Sequence, residues 1–189
     1  MQVNILWTGR EYYSLENCLV KSFETGSEIE STIVGKYKEK IYKITYKIRT
    51  NQDWETTFLE IYCQHNNQIT QLQLEGDGNG NWKMNGNQAV QFNGCTDVDI
   101  PLTPFTNTLP INRLRLKQGE ESEINVIYLD LLAQRIIPVT QKYVCLSKTK
   151  YHYENVPNDF EADIDVDGQG FVVDYPLLFK RSSRLESDY

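Results

Sequence analysis

The sequence predicts an antiparallel β protein, and three observations lead to that fold class. The 189 residues include three alanines against twelve tyrosines, together with fifteen isoleucines, twelve valines and fourteen threonines. Alanine favours helix, whereas β-branched and aromatic side chains fit the half-buried surface of a sheet. Several segments alternate between apolar and polar residues. The segments between them are rich in glycine and asparagine, which allow the chain to reverse tightly.

The alternation is clearest in residues 42–49, where tyrosine and isoleucine share one face while lysine, threonine and arginine share the other. In 55–63 apolar side chains point to both faces, so either both faces are buried or a bulge intervenes. The remaining segments with a two-residue period are also predicted to be strands. They are 28–35, 69–75, 123–131, 138–147, 149–154 and 160–166.

Turns and a proline-rich stretch separate these strands. Residues 75–81 and 167–170 are predicted to be hairpin turns, because glycine and asparagine supply the positive φ that such turns need. Three of the six prolines lie between Pro101 and Pro110. Since proline cannot donate to a sheet ladder, we expect a structured loop or an edge there. Thr108 is positioned to cap a short helix whose first turn holds Pro110.

The chain is expected to form one domain. Its length suits a single hydrophobic core, and no repeat or long linker divides it. We place a single β domain at residues 1–181 and a polar C-terminal tail at 182–189.

Composition and charge exclude several classes of partner. The net charge is −7 and the isoelectric point is near 4.9, so the overall field repels nucleic acid and anionic membranes. No apolar run approaches the ~20 residues that span a bilayer, and the N-terminus does not resemble a secretory signal. We therefore expect a cytoplasmic protein without nucleic-acid partners or integral membrane association. Its cysteines are predicted to be reduced core residues. They are Cys18, Cys63, Cys95 and Cys145.

Two motifs point weakly to other ligands. Residues 36–49 carry six basic residues interleaved with tyrosines, as in platforms that stack single-stranded nucleic acid. The alternation, however, places Tyr42 and Tyr46 opposite the basic side chains. Residues 163–170 match the start of an EF-hand calcium loop, but Asp174 stands where a glutamate is expected and neither flank has a helical pattern. We predict no metal site and no cofactor.

Catalytic constellations are sparse. The two histidines, His65 and His152, have no nucleophile elbow or metal-ligand spacing around them and are expected to be surface residues. Strand alternation puts Asp97 and Asp99 on one face, where paired carboxyl groups can act as acid and base. An enzyme that acts on a small polar substrate through these aspartates and Arg113 or Arg115 is therefore one alternative to a binding protein. A protein-interaction module that uses an exposed strand edge is another.

A proline-rich string carries a family resemblance. Residues 103–114 read Thr-Pro-Phe-Thr-Asn-Thr-Leu-Pro-Ile-Asn-Arg-Leu, and this string resembles the putative glycolipid-binding family, a former bacterial domain of unknown function. The resemblance covers roughly residues 5–181. Further similar positions follow in the same order. They are Trp7, Glu11, Asp53-Trp54, Thr56, Gly80-Asn-Trp82, Tyr151-His-Tyr153, Val166-Asp167, Asp174-Tyr-Pro176 and Arg181.

The resemblance implies an all-β fold, a many-stranded antiparallel sheet curled into a roll or partly open barrel, with at most one or two short helices. It also implies a non-catalytic protein that holds a small amphipathic ligand, such as a glycolipid or a fatty-acyl compound. Aromatic side chains would line the site and polar groups would hold the head of the ligand. The predicted ligand-binding residues are Trp7, Tyr46, Trp54, Trp82, Thr106, Asn107, Thr108 and Arg113. The simpler interpretation is that the tryptophans fill a packed core.

Overall fold

The computed structural model describes residues 1–187, which form fifteen β-strands and one α-helix. A 3-10 turn lies at Val90–Phe92 and the helix, α1, spans Phe105–Leu114. The strands are β1 (Gln2–Gly9), β2 (Ser14–Phe23), β3 (Gly26–Tyr37), β4 (Lys40–Asn51), β5 (Thr56–His65), β6 (Gln68–Gly76), β7 (Trp82–Met84), β8 (Asn87–Gln88), β9 (Asp97–Asp99), β10 (Glu121–Asp130), β11 (Arg135–Ser147), β12 (Lys150–Val156), β13 (Glu161–Val166), β14 (Val172–Tyr175) and β15 (Phe179–Ser187).

The strands form one curled, open sheet in the order β8-β7-β6-β5-β4-β3-β2-β1-β15-β14-β13-β12-β11-β10-β9. Nearly all neighbours run antiparallel, and the pairing of β9 with β10 is parallel. Because β1 pairs with both β2 and β15, the two ends of the chain meet in the middle of the sheet. The predicted fold class is therefore confirmed.

The strand predictions agree well with the structure. All eight predicted segments coincide with strands, although four of them extend one residue beyond the strand end. The turns at 75–81 and 167–170 connect antiparallel neighbours as expected. The prediction of a polar tail was wrong for residues 182–187, which belong to β15 and pair with β1. The last two residues of that tail, 188–189, lie outside the described residues.

The helix α1 stands between two groups of buried side chains. The larger group comes mainly from β1 to β7 and contains Phe105 and Leu109 of the helix. The smaller group comes from β10 to β15 and contains Ile111. The helix therefore fills the space between the two halves of the sheet, and residues 105–111 are all buried.

The helix begins earlier than predicted. Its first residue is Phe105, so Thr108 is the fourth residue of the helix and is not the cap. The Thr103 hydroxyl accepts the Phe105 N–H at 3.0 Å and satisfies one of the free donors at the helix start. The helix ends at Leu114, and the capping residue that follows, Arg115, takes a left-handed conformation with φ 50°.

The cysteines match the expectation of buried core residues. All four cysteines are buried and free of disulfides. The helix of the described residues is too short to cross a membrane, and nothing else helical in that part of the chain can do so.

Candidate functional site

An ion pair anchors the end of α1 to the sheet. Arg113 Nη2 lies 2.6 Å from Asp97 Oδ2, and Arg113 Nε donates to both Asp97 oxygens at 3.2 Å. A further bond of 3.0 Å joins Arg113 to the Thr96 hydroxyl. The Asp97 side chain is 1% exposed and that of Arg113 16% exposed, so this pair is largely shielded from solvent.

Asp99 lies on the same face as Asp97 but has neutral partners. Its Oδ1 accepts from the Thr106 hydroxyl at 3.0 Å and its Oδ2 accepts from Gln141 Nε2 at 2.7 Å. Burial of the Asp99 carboxyl group raises its pKa. Acid–base catalysis needs a carboxyl group that can reach substrate. Here both aspartates are bonded to the protein, an arrangement that anchors α1.

A buried carboxyl group, Glu16, lies at the other end of α1. Its Oε1 accepts hydrogen bonds from the hydroxyls of Tyr46 and Ser31, both at 2.7 Å, and from Thr103 at 2.9 Å. Its Oε2 is buried and has no partner among the described residues. Burial raises the pKa of Glu16 to about 7. Sequence reasoning missed this residue, although it occupies an inward position of β2 between Ser14 and Cys18.

A cavity of about 380 Å³, here called the helix-end pocket, opens beside the C-terminus of α1. It lies where the two groups of buried side chains meet. Its principal apolar residues are Trp54, Ile111, Tyr151, Val166 and Phe171. Its principal polar residues are Ser22, Asn112, Arg115, Lys148 and Gln169. The pocket therefore offers both apolar surface and hydrogen-bonding groups to one ligand.

A tight turn presents Trp54 to this pocket. Trp54 has φ 64°, a left-handed conformation that is costly for a bulky residue. The Asn51 side chain stabilises the turn because its Oδ1 accepts the N–H groups of Asp53 and Glu55 at 3.0 and 3.1 Å. Arg115 Nη2 lies 3.8 Å from Asp53 Oδ1, which connects the turn to the helix end.

The turn at 167–170 forms another wall. Asn112 Nδ2 donates to the Gln169 carbonyl at 3.0 Å and so ties this turn to α1. Gly170 has φ +79°, and a Cβ there would lie 2.1 Å from Asn112 Oδ1. Arg181 forms an ion pair with Asp167 and holds the other side of the turn. Glycine is thus required at position 170 by both conformation and space.

The chain is similar in sequence and fold to known proteins. The model of a family described as putative glycolipid-binding matches residues 4–181. The chain belongs to this family. A DUF1089 family protein from Pseudomonas aeruginosa has a similar crystal structure, with 32% identity, a TM-score of 0.78 and coverage of 88% of this chain and 91% of that chain. No curated protein matches the chain.

A second solved structure shares the fold of this chain. It is a beta-barrel-like protein of the DUF1849 domain of unknown function from Brucella abortus, with 8% identity and a TM-score of 0.58. The match covers 99% of this chain and 98% of that chain. At this low identity the likeness concerns the architecture alone.

The structure distributes the predicted ligand-binding tryptophans unequally. Trp54 lines the helix-end pocket. Trp7 is fully buried and donates to the Val172 carbonyl at 2.9 Å, while Trp82 is buried and donates to the Cys95 carbonyl at 2.9 Å. Trp7 and Trp82 therefore pack within the core of this family member, and a ligand-binding role for them stays a prediction.

The predicted polar residues contact other protein groups. Arg113 binds Asp97, and Thr106 binds Asp99, as described above. Asn107 Oδ1 accepts a bond of 3.4 Å from the Tyr143 hydroxyl. Thr108 is fully buried, and its hydroxyl has no partner among the described residues. Tyr46 is also buried, with its hydroxyl on Glu16.

The carboxylates of the calcium-like motif do not converge. Asp163 Oδ1 lies 2.9 Å from His152 Nδ1, Asp165 Oδ1 lies 3.1 Å from Lys150 Nζ, and Asp167 pairs with Arg181. Each aspartate is therefore bonded to a different basic side chain.

Both histidines were predicted to be surface residues. His65 is instead buried.

Proposed function

We propose that the protein binds a small amphipathic ligand of the glycolipid type in the helix-end pocket, without catalysing a reaction on it. The observation that carries the proposal is the convergence of three distant segments on one pocket. These segments are the Asp53-Trp54 turn, the last turn of α1 and the 167–170 turn. Each of them contains residues of the family resemblance. The family description supports a ligand of this class.

The chemistry of the pocket matches the two parts of such a ligand. Trp54, Ile111 and Phe171 offer an apolar surface for the first carbons of a chain. Asn112 and the exposed cations Arg115 and Lys148 can donate hydrogen bonds to the hydroxyl or carboxylate oxygens of a head group. The volume of about 380 Å³ falls within the ~300–1,000 Å³ common for small-molecule sites.

Octyl glucoside below its micelle concentration is a suitable probe, because it combines a sugar head with a short chain. Isothermal titration calorimetry should detect its binding to the full chain. Trp54→Ala should weaken that binding at least about tenfold, which corresponds to about 1.4 kcal/mol. The matched control is Leu177→Ala, since Leu177 is 81% exposed and lies outside the pocket.

Two outcomes would contradict the proposal. One is the absence of any binding of octyl glucoside or octanoate to the wild-type protein at millimolar concentration. The other is equal binding by the wild type and the Trp54→Ala variant, which would place the ligand elsewhere. Glucose alone should bind more weakly than octyl glucoside, because it cannot use the apolar wall.

A further inference from the structure

The outer surface of the sheet contains a second, larger concavity. This outer groove has a volume of about 870 Å³ and extends across β2, β3, β4, β5 and β6. Its exposed side chains alternate with the buried ones on the same strands, so the groove faces solvent and not the core. It shares no lining residue with the helix-end pocket.

Two rows of side chains form the groove. In the first row Asn17, Thr32, Thr45, Tyr62 and Gln71 are successive cross-strand partners. This row contains amide and hydroxyl groups and a single aromatic ring. With neighbouring strands about 4.8 Å apart, five strands span about 19 Å. The row thus presents neutral hydrogen-bonding groups along an extended line.

The second row carries one positive and two negative side chains. Lys47 lies between Glu30 and Glu60 in the cross-strand register, and Lys47 Nζ is 2.9 Å from Glu30 Oε1. The next partner in this row is Gln73. The groove therefore has no excess of positive charge for a phosphate backbone, and its exposed side chains are mainly polar, which disfavours an acyl chain.

We propose that the outer groove binds a neutral oligosaccharide. Amide, hydroxyl and carboxylate groups can exchange hydrogen bonds with sugar hydroxyls, which act as both donors and acceptors. The ring of Tyr62 offers a flat apolar surface beside them, against which the C–H face of a sugar ring can pack. A row that crosses five strands matches a chain of linked sugar rings better than a single compact ligand. This site is independent of the function proposed for the helix-end pocket.

The test uses the full chain and a panel of neutral trisaccharides with gluco, galacto, manno and N-acetylglucosamine units. Binding is measured by saturation-transfer NMR and by calorimetry. Gln71→Ala and Tyr62→Ala should each weaken binding of the preferred trisaccharide, Tyr62→Ala by at least about tenfold. The matched control is Gln64→Ala. Gln64 is an exposed glutamine like Gln71, but it lies on β5 and outside the groove.

Trisaccharide binding by the groove variants and the control variant tests the proposal. Loss of binding in the Tyr62→Ala and Gln71→Ala variants, with wild-type binding in Gln64→Ala, supports the proposal. The proposal is wrong if no trisaccharide of the panel binds at millimolar concentration, or if both groove variants bind as the wild type does. Trp54→Ala should keep trisaccharide binding while losing octyl glucoside, so a failure at one site is distinguishable from a failure at the other.

Discussion

The buried carboxyl group of Glu16 makes a strong prediction about stability and pH. Three hydroxyls donate to one of its oxygens, the other oxygen has no partner among the described residues, and the residue is only 2% exposed. Burial raises the pKa of Glu16 from 4.5 to about 7, so the folded protein holds this proton more tightly than the unfolded chain does. The informative substitution is Glu16→Gln, which imitates the neutral form.

The size of the effect follows from linkage. Below pH 4.5 both states carry the proton, and the raised pKa of Glu16 does not affect the free energy of unfolding. Between pH 4.5 and about 7 the unfolded chain loses the proton first, so stability falls as the pH rises. The loss reaches about 3 kcal/mol at pH 8 and then stays constant. A glutamine at this position does not titrate and avoids that loss.

Urea unfolding at pH 4.5 and pH 8 measures this effect. The free energy of unfolding of Glu16→Gln relative to the wild type should increase by about 3 kcal/mol between these two pH values. Comparing the two proteins at two pH values cancels any pH-independent cost of the glutamine amide group, whose N–H groups have no acceptor at this position. Glu123→Gln, at an exposed glutamate, is the control and should show a much smaller change. Equal pH dependence of wild type and Glu16→Gln would refute the reasoning.

Three further predictions concern stability and reactivity. Arg113→Met should lower the free energy of unfolding in urea by about 3–5 kcal/mol, because it leaves the buried Asp97 carboxylate unpaired; a loss under 1 kcal/mol would contradict this. Gly170→Ala should cost about 1–3 kcal/mol and lower the melting temperature, since it combines a positive φ with a clash on Asn112; an unchanged melting temperature would show that the turn adapts. The cysteines should react with a water-soluble disulfide reagent after unfolding but not before, because all four are buried and burial raises the pKa of the Cys63 thiol to about 11; rapid labelling of the native protein would disprove it.

Local patterns predicted eight of the fifteen strands of the described residues but not how the sheet is assembled. Most of the predicted segments alternate because one face of each strand is buried, and the structure confirms all eight as strands. The polar residues 182–187 show no such alternation, and they become a strand only because β1 offers them an edge from the other end of the chain. That pairing forms only when the whole sheet is assembled, so the sequence of residues 182–187 contains no local pattern that predicts it.

The site shows the same division between local and long-range information. Trp54 was predicted because the family resemblance includes it and because aromatic side chains line sites for amphipathic ligands, and it does line the helix-end pocket. Neither Arg115 nor Lys148 was predicted to contact an amphipathic ligand, because the two residues come to line one pocket only through the packing of α1 against the strands. The start of α1 was misplaced because the hydroxyl of Thr103, outside the expected helix, bonds the first N–H.

The packing of α1 changes what the proline-rich string means. Thr106, Asn107 and Thr108 are consecutive, so they point in different directions around a helix that is buried at all three positions. Burying polar groups is costly unless they are bonded, and Thr106 and Asn107 obtain their bonds from the protein. The Thr106 hydroxyl and the Asn107 Oδ1 atom are thus already used in bonds within the protein. The string therefore mainly secures the helix within the roll. In the function proposed above, the ligand would instead contact Asn112 of the last turn of α1 and Arg115, the residue that follows the helix, because both line the helix-end pocket.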